Sequence, residues 1–213
     1  AYSRRTNATA GFSIIKFVAD GSTGIPGTGA IPHGLGGKPD IVISKRLDAT
    51  GNWWTGFDCL DGSFDVLKLE STSAKSDEGY DIYDADEISN WGCPDGSDQL
   101  YYVFKNIAGY SQVGTFTGQT FVDVGFKPRW LMIKDTVSTS NYWWMYDTVR
   151  DTYNPRGLYL FANVNDAEID YKSSYPIDLL SNGFKVRNTL VGSSNAMLYI
   201  AFASAPFKYA RAQ

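Results

Sequence analysis

Residues 38–58 read KPDIVISKRLDATGNWWTGFD, and residues 127–147 read KPRWLMIKDTVSTSNYWWMYD. The two stretches align without a gap: Lys38-Pro39 falls on Lys127-Pro128, Lys45 on Lys134, Asn52 on Asn141, Trp54 on Trp143 and Asp58 on Asp147. Each opens on a proline, which lacks an N–H and therefore belongs at a strand start or a sheet edge. An apolar run follows, then a polar turn at Gly51-Asn52 or Ser140-Asn141, then an aromatic run. Asn and Gly tolerate the positive φ of a tight turn, so each block predicts a hairpin. Gly11-Phe12-Ser13 precedes the first block and Gly109-Tyr110-Ser111 the second, and the apolar runs LYYVF at 100–104 and MLYIA at 197–201 close them. This order implies an internal duplication with a unit of roughly 95 to 100 residues, enough for a small domain.

Strand-length apolar runs bounded by turn formers extend through both halves. In the first they cover 12–19, 40–45, 53–58, 64–70, 80–83 and 100–105. In the second they cover 111–116, 120–124, 129–134, 142–147, 157–162, 184–187 and 197–203. Six or seven short strands per half predict an all-β chain of two tandem antiparallel β-sandwich, jelly-roll-like units. The expected layout is an extended arm at 1–10, a first sandwich at 11–106, a second at 107–205 and a tail at 206–213. Residues 84–89 are the one candidate helical turn, and 21–37 form a Gly-rich loop that the second half lacks.

The net charge is -4 with no Lys/Arg-rich stretch, which argues against a nucleic-acid partner, because phosphate neutralisation needs a concentrated basic surface. No apolar stretch is long enough to span a membrane. Because the sequence opens on Ala1, it reads as a processed chain or a piece of a longer one. Cys59 and Cys93 lack the spacing of a zinc site and are either bridged or two separate thiols. His33, the single histidine, lies in the Gly-rich loop and reads as a turn or surface residue rather than a catalytic base.

Neighbouring strand residues face opposite sides of a sheet. The aligned Trp54 and Trp143 are assigned to the core, so Trp53, Tyr142 and Trp144 fall on the other face. With Asn52, Asp58 and Asp147 nearby, those rings suit a sugar platform, in which a ring stacks on a pyranose and polar groups take the hydroxyls. Packing between domains or subunits uses the same residue types. Among the carboxylates at 77–98, Asp81, Asp84 and Asp86 are candidate ligands for calcium, the one cofactor considered; a solvated acidic loop is the reading preferred over it. The first ten residues carry Arg4 and Arg5 but no apolar stripe. They are expected to order only as an assembly arm along a neighbour, the guanidinium groups meeting acidic patches.

The motifs HGLGGKP at 33–39, Lys45-Arg46 and Asn52-Trp53 recur in the second half as GFKP at 125–128 and the Asn141–Asp147 stretch. The second half adds 158–168, NGF at 182–184 and YIAFA at 199–203. As an ordered set they resemble a family of tandem-repeat domains in tail-fibre-like and other virion-surface proteins of tailed bacteriophages. The first half departs from the pattern after Ser73. The resemblance implies a non-enzymatic virion protein, in a tail fibre or decorating the head, on the particle surface. Its partners would be copies of itself, other virion proteins and host-surface glycans. A glycan-cleaving depolymerase and a free secreted lectin are the alternatives.

Overall fold

The structure, a computed structural model, describes residues 2–19, 30–78, 81–91, 93–188 and 194–204. The chain is all-β: every regular element among these residues is a strand, and the strands pair antiparallel. It divides into two compact units, residues 1–69 with 75–106, and residues 70–74 with 107–213.

The first unit contains β1 (Tyr2–Asn7), β2 (Phe12–Val18), β3 (Ile31–Pro32), β4 (Ile41–Arg46), β5 (Trp53–Phe57), β6 (Asp65–Lys68), β7 (Ser76–Asp77), β8 (Glu87–Ile88) and β9 (Asp98–Phe104). Seven of these form one sheet in the order β1-β2-β9-β4-β5-β6-β7, and β3 pairs with β8 separately. Alternation along the strands builds the core, with Ile15 and Phe17 inward and Lys16 outward on β2, and Tyr101 and Val103 inward on β9. Ile31 and Ile88 from the small sheet close over them. At Gly56 the missing side chain leaves room for the Phe64 ring; a Cβ there would lie 2.2 Å from Phe64 Cζ.

The second unit contains β10 (Ser111–Thr117), β11 (Phe121–Asp123), β12 (Pro128–Asp135), β13 (Trp143–Asp147), β14 (Leu158–Phe161), β15 (Ile169–Asp170), β16 (Ile177–Leu179), β17 (Gly183–Val186) and β18 (Ala196–Ala203). Its large sheet runs β10-β18-β12-β13-β14-β15, and its small one β11-β17-β16. Leu131, Ile133, Trp144, Tyr146 and Tyr199 from the large sheet pack with Ile177, Leu179, Phe184 and Val186 from the small one. Strand by strand, the order β2-β9-β4-β5-β6-β7 has the same sequence of connections as β10-β18-β12-β13-β14-β15.

The two hairpins differ by one residue, and that residue decides which tryptophan is buried where. Lys45 pairs with Trp53 across β4 and β5, leaving residues 46–52 in the turn. Lys134 pairs with Trp143 across β12 and β13, leaving residues 135–142, one more. By register Trp54 therefore corresponds to Trp144, not to Trp143 as the gapless alignment had it. Trp144 is in the core at 4% exposure, and Trp143, wholly buried, lies on the opposite face of its sheet. Trp54 is 36% exposed at the edge of the first core, its ring 5.9 Å from that of Trp91 and 5.0 Å from the Lys68 ammonium. The expected pairing of Trp54 with Trp143 as core equivalents is corrected accordingly, as is the outward placing of Trp144.

Residues 2–7, expected as an arm ordered only by a neighbour, form β1 and pair in full register with β2 of their own sheet. The Tyr2 hydroxyl and Arg4 Nη1 donate to the Pro32 carbonyl at 2.6 and 2.9 Å. Residues 84–89 are not helical: the Asp84 carboxylate accepts the N–H groups of Asp86 and Glu87, and the chain then enters β8. His33 is fully buried rather than at the surface. Its Nδ1 accepts the Leu35 N–H, its Nε2 lies 3.3 Å from the Asp84 carbonyl, and burial lowers its pKa. No disulfide joins Cys59 and Cys93, and burial pushes the Cys59 thiol up to about 12. Residues 21–29 of the Gly-rich loop and the tail at 206–213 lie outside the described residues.

Candidate functional site

β14 reads Leu158-Tyr159-Leu160-Phe161, and alternation places Tyr159 and Phe161 on the core side of the sheet, where Phe161 pairs across from Trp144. Beyond β15 the chain doubles back in a short turn, with the N–H groups of Ser174 and Tyr175 both donating to the Tyr171 carbonyl, at 2.9 and 2.8 Å. That turn lies close to β14 because Gly157 has no side chain. A Cβ there would lie 2.4 Å from the Lys172 backbone nitrogen. The Tyr171 N–H donates to the Gly157 carbonyl at 3.0 Å and fixes the approach.

The result is a run of five rings in successive contact. Tyr142 lies 4.3 Å from Phe161, Phe161 5.2 Å from Tyr159, Tyr159 5.8 Å from Tyr171 and Tyr171 6.1 Å from Tyr175. Tyr159 and Tyr171 are near-parallel at 17°, and burial raises the Tyr159 hydroxyl above its ordinary pKa. These rings, with Trp144 and Ile169, line a cleft of about 310 Å³ whose polar side chains include Asn141 and Asp166. Tyr171 is 42% exposed, whereas Trp144 is buried. The Asn141 amide donates to Asp135 at 2.7 Å, which holds it in place. Such a cleft offers flat apolar faces with an amide and a carboxylate nearby. That combination suits a pyranose, whose C–H face stacks on a ring while its hydroxyls seek polar partners.

The first unit has a smaller hollow at its own hairpin, about 210 Å³, bordered by Arg46, Asn52, Trp54, Trp91 and Gln99. It is bordered by two indoles rather than a run of five rings.

The sequence candidates are divided among these surroundings. Tyr142 and Trp144 line the second unit's cleft, and Asn52 borders the first unit's hollow. Trp53 is half-buried on the opposite face of its sheet, stacked 6.4 Å from Tyr102 with the Lys45 ammonium 5.5 Å from its ring. Asp58 is paired with Lys38 at 2.6 Å, so its charge is already met. Asp147 accepts the backbone N–H groups of Val149 and Arg150 and the Arg150 guanidinium. Burial raises this carboxyl, but the bonds from Arg150 prevail and hold it below the usual range. It closes a turn and is not in the cleft lining.

Asp81, Asp84 and Asp86 do not converge as metal ligands. Asp81 meets Lys38 at 3.3 Å, and Asp84 is taken up by backbone N–H groups. The acidic group that does converge is Asp61, Asp65 and Asp77. Arg4 binds the Pro32 carbonyl, and Arg5 stands across from Ile14 in the β1–β2 pair. The rings that sequence reasoning missed are Tyr159, Phe161, Tyr171 and Tyr175. The signal was present in the alternating Tyr159 and Phe161 and in two tyrosines framing a polar Lys-Ser-Ser, but no pattern joins the two segments.

The chain belongs to the family described as a domain of unknown function, DUF7483, whose model matches residues 3–206. No curated protein and no solved structure matches it.

Proposed function

We propose that this chain is a non-enzymatic adhesion protein of a bacteriophage particle, in a tail fibre or on the head, and that its second unit binds host-surface glycan in the aromatic cleft. The run of rings from Tyr142 to Tyr175, with Asn141 and Asp166 beside it, carries the binding half of this reading. The motif resemblance to virion-surface repeats carries the particle half. Glycosidic cleavage uses two carboxylates across the scissile bond. Asp166 is the carboxylate among the residues lining this cleft, which favours binding over hydrolysis. Weak sites of this kind gain strength when several copies engage one surface, because each later contact is intramolecular.

The test is binding of the purified chain to a panel of bacterial surface polysaccharides, followed by the Tyr171→Ala variant on whichever sugar binds. Tyr171 is half-exposed, so the variant should keep its melting temperature while affinity falls about tenfold, the loss of one stacking contact. Undiminished binding by Tyr171→Ala, at unchanged stability, would place the glycan elsewhere.

A further inference from the structure

Away from the aromatic cleft, the first unit brings three carboxylates together at the β6–β7 edge of its sheet. Asp65 on β6 pairs directly across from Asp77 on β7, so their side chains share one face. Asp61, from the turn before β6, joins them, and one oxygen from each carboxylate lies within 4.8 Å of the others. Like charges directly opposite in a sheet oppose the pairing. Asp65 is also fully buried, and its Oδ2 has no hydrogen-bond partner. Burial raises its carboxyl above the ordinary range, only partly relieved by Lys75. The Lys75 ammonium meets Asp65 Oδ1 and reaches Asp61 at 3.5 Å. The Ser63 hydroxyl bridges Asp61 and Asp77 at 2.6 and 3.2 Å, adding a fourth oxygen to the group.

A buried carboxylate oxygen left without a partner is costly, and a hard cation with several oxygen ligands relieves it. We propose that Asp61, Asp65 and Asp77, with Ser63, bind a calcium ion that displaces the Lys75 ammonium. Lys75 is the resident counter-charge of the ion-free form and competes with the metal. Its side chain is about one-fifth exposed, so it has a way out to solvent. Bound calcium would tie the turn carrying Asp61 to the last two strands of the sheet.

The experiment is calorimetric titration of the whole chain, freed of metal with chelator, with calcium chloride and separately with magnesium chloride. Binding in the submillimolar to millimolar range is expected, as for exposed extracellular calcium modules. Lys75→Met should bind calcium about tenfold more tightly or better, because a competing charge in contact with the site is gone. Asp77→Asn, at an exposed position that the core does not need, should keep its fold and lose the binding. The proposal is overturned if neither the parent chain nor Lys75→Met binds calcium, if Asp77→Asn binds as the parent does, or if magnesium alone binds.

Discussion

The hairpins β4–β5 and β12–β13 place a lysine across from a tryptophan in the same way, yet the two pairs occupy different environments. Lys45 donates to the Gly51 carbonyl in its own turn and stands over the half-buried ring of Trp53. Lys134 is fully buried beside an equally buried Trp143, and donates to the carbonyls of Thr72 and Asp135 at 3.2 and 2.9 Å. Burial brings its pKa down to about 8 despite the attraction of Asp135. The turns diverge likewise. In the first, Arg46 and Asp48 form an exposed ion pair. In the second, buried Asp135 accepts the N–H groups of Val137 and Ser138 through Oδ1 and the amides of Asn141 and Asn195 through Oδ2. One extra residue and one buried carboxylate separate a turn held at the surface from one anchored inside. Matching letters therefore do not ensure matching energetics; the environment of each letter does.

The largest contrast should appear in the indoles. Trp143→Ala and Trp144→Ala should each cost about 3 to 5 kcal/mol in denaturant unfolding, because both remove a buried ring. Trp54→Ala should cost about 1 kcal/mol, since the ring already meets solvent. Equal losses at Trp54 and Trp144 would break the contrast in burial between these corresponding positions.

Next come the turn carboxylates. Asp135→Ala strands two backbone N–H groups and two amides, and should cost about 2 to 3 kcal/mol. Asp48→Ala should leave the melting temperature unchanged, its ion pair being screened by solvent. A measurable loss from Asp48→Ala would show that the first turn is also held by charge.

The smallest contrast reverses sign. Lys134 is lowered in the fold from an ordinary 10.5, so the fold favours the neutral amine. Its contribution is full above the unfolded lysine's pKa and is lost as pH falls toward the folded value near 8. Lys134→Met should therefore stabilise the chain by about 1 to 3 kcal/mol at pH 7 and flatten the rise in stability between pH 8 and 10. Lys45→Met should bring no such stabilisation at pH 7, because that ammonium is at the surface. Thermal unfolding across that pH range distinguishes them.

Strands rich in alternating apolar residues were legible because side-chain period and burial coincide there, as in β2 and β9. β1 was not, because YSRRTN has no apolar face and is ordered by backbone pairing with β2. The assignment of tryptophans to faces failed at the turn, since a residue added between strands inverts every position after it, and gapless alignment conceals that. Among the acidic residues, proximity in sequence pointed to Asp81, Asp84 and Asp86, but Asp81 faces Lys38 and Asp84 takes the N–H groups of its own turn. Asp61, Asp65 and Asp77 meet only because β6 pairs with β7, a contact that spacing does not encode.

β1 ends the first unit's large sheet, and among the described residues nothing pairs with its far side. All six of its residues are exposed. Such a rim is a template on which another chain can grow strand by strand, the route by which sheet proteins gel or form fibrils. Arg4 and Arg5 occupy successive positions of that strand, on opposite faces, and a copy paired in register with it would bring its own positive charges close to them. Their placement makes the edge self-repelling at low salt, and less so as ions screen the charges.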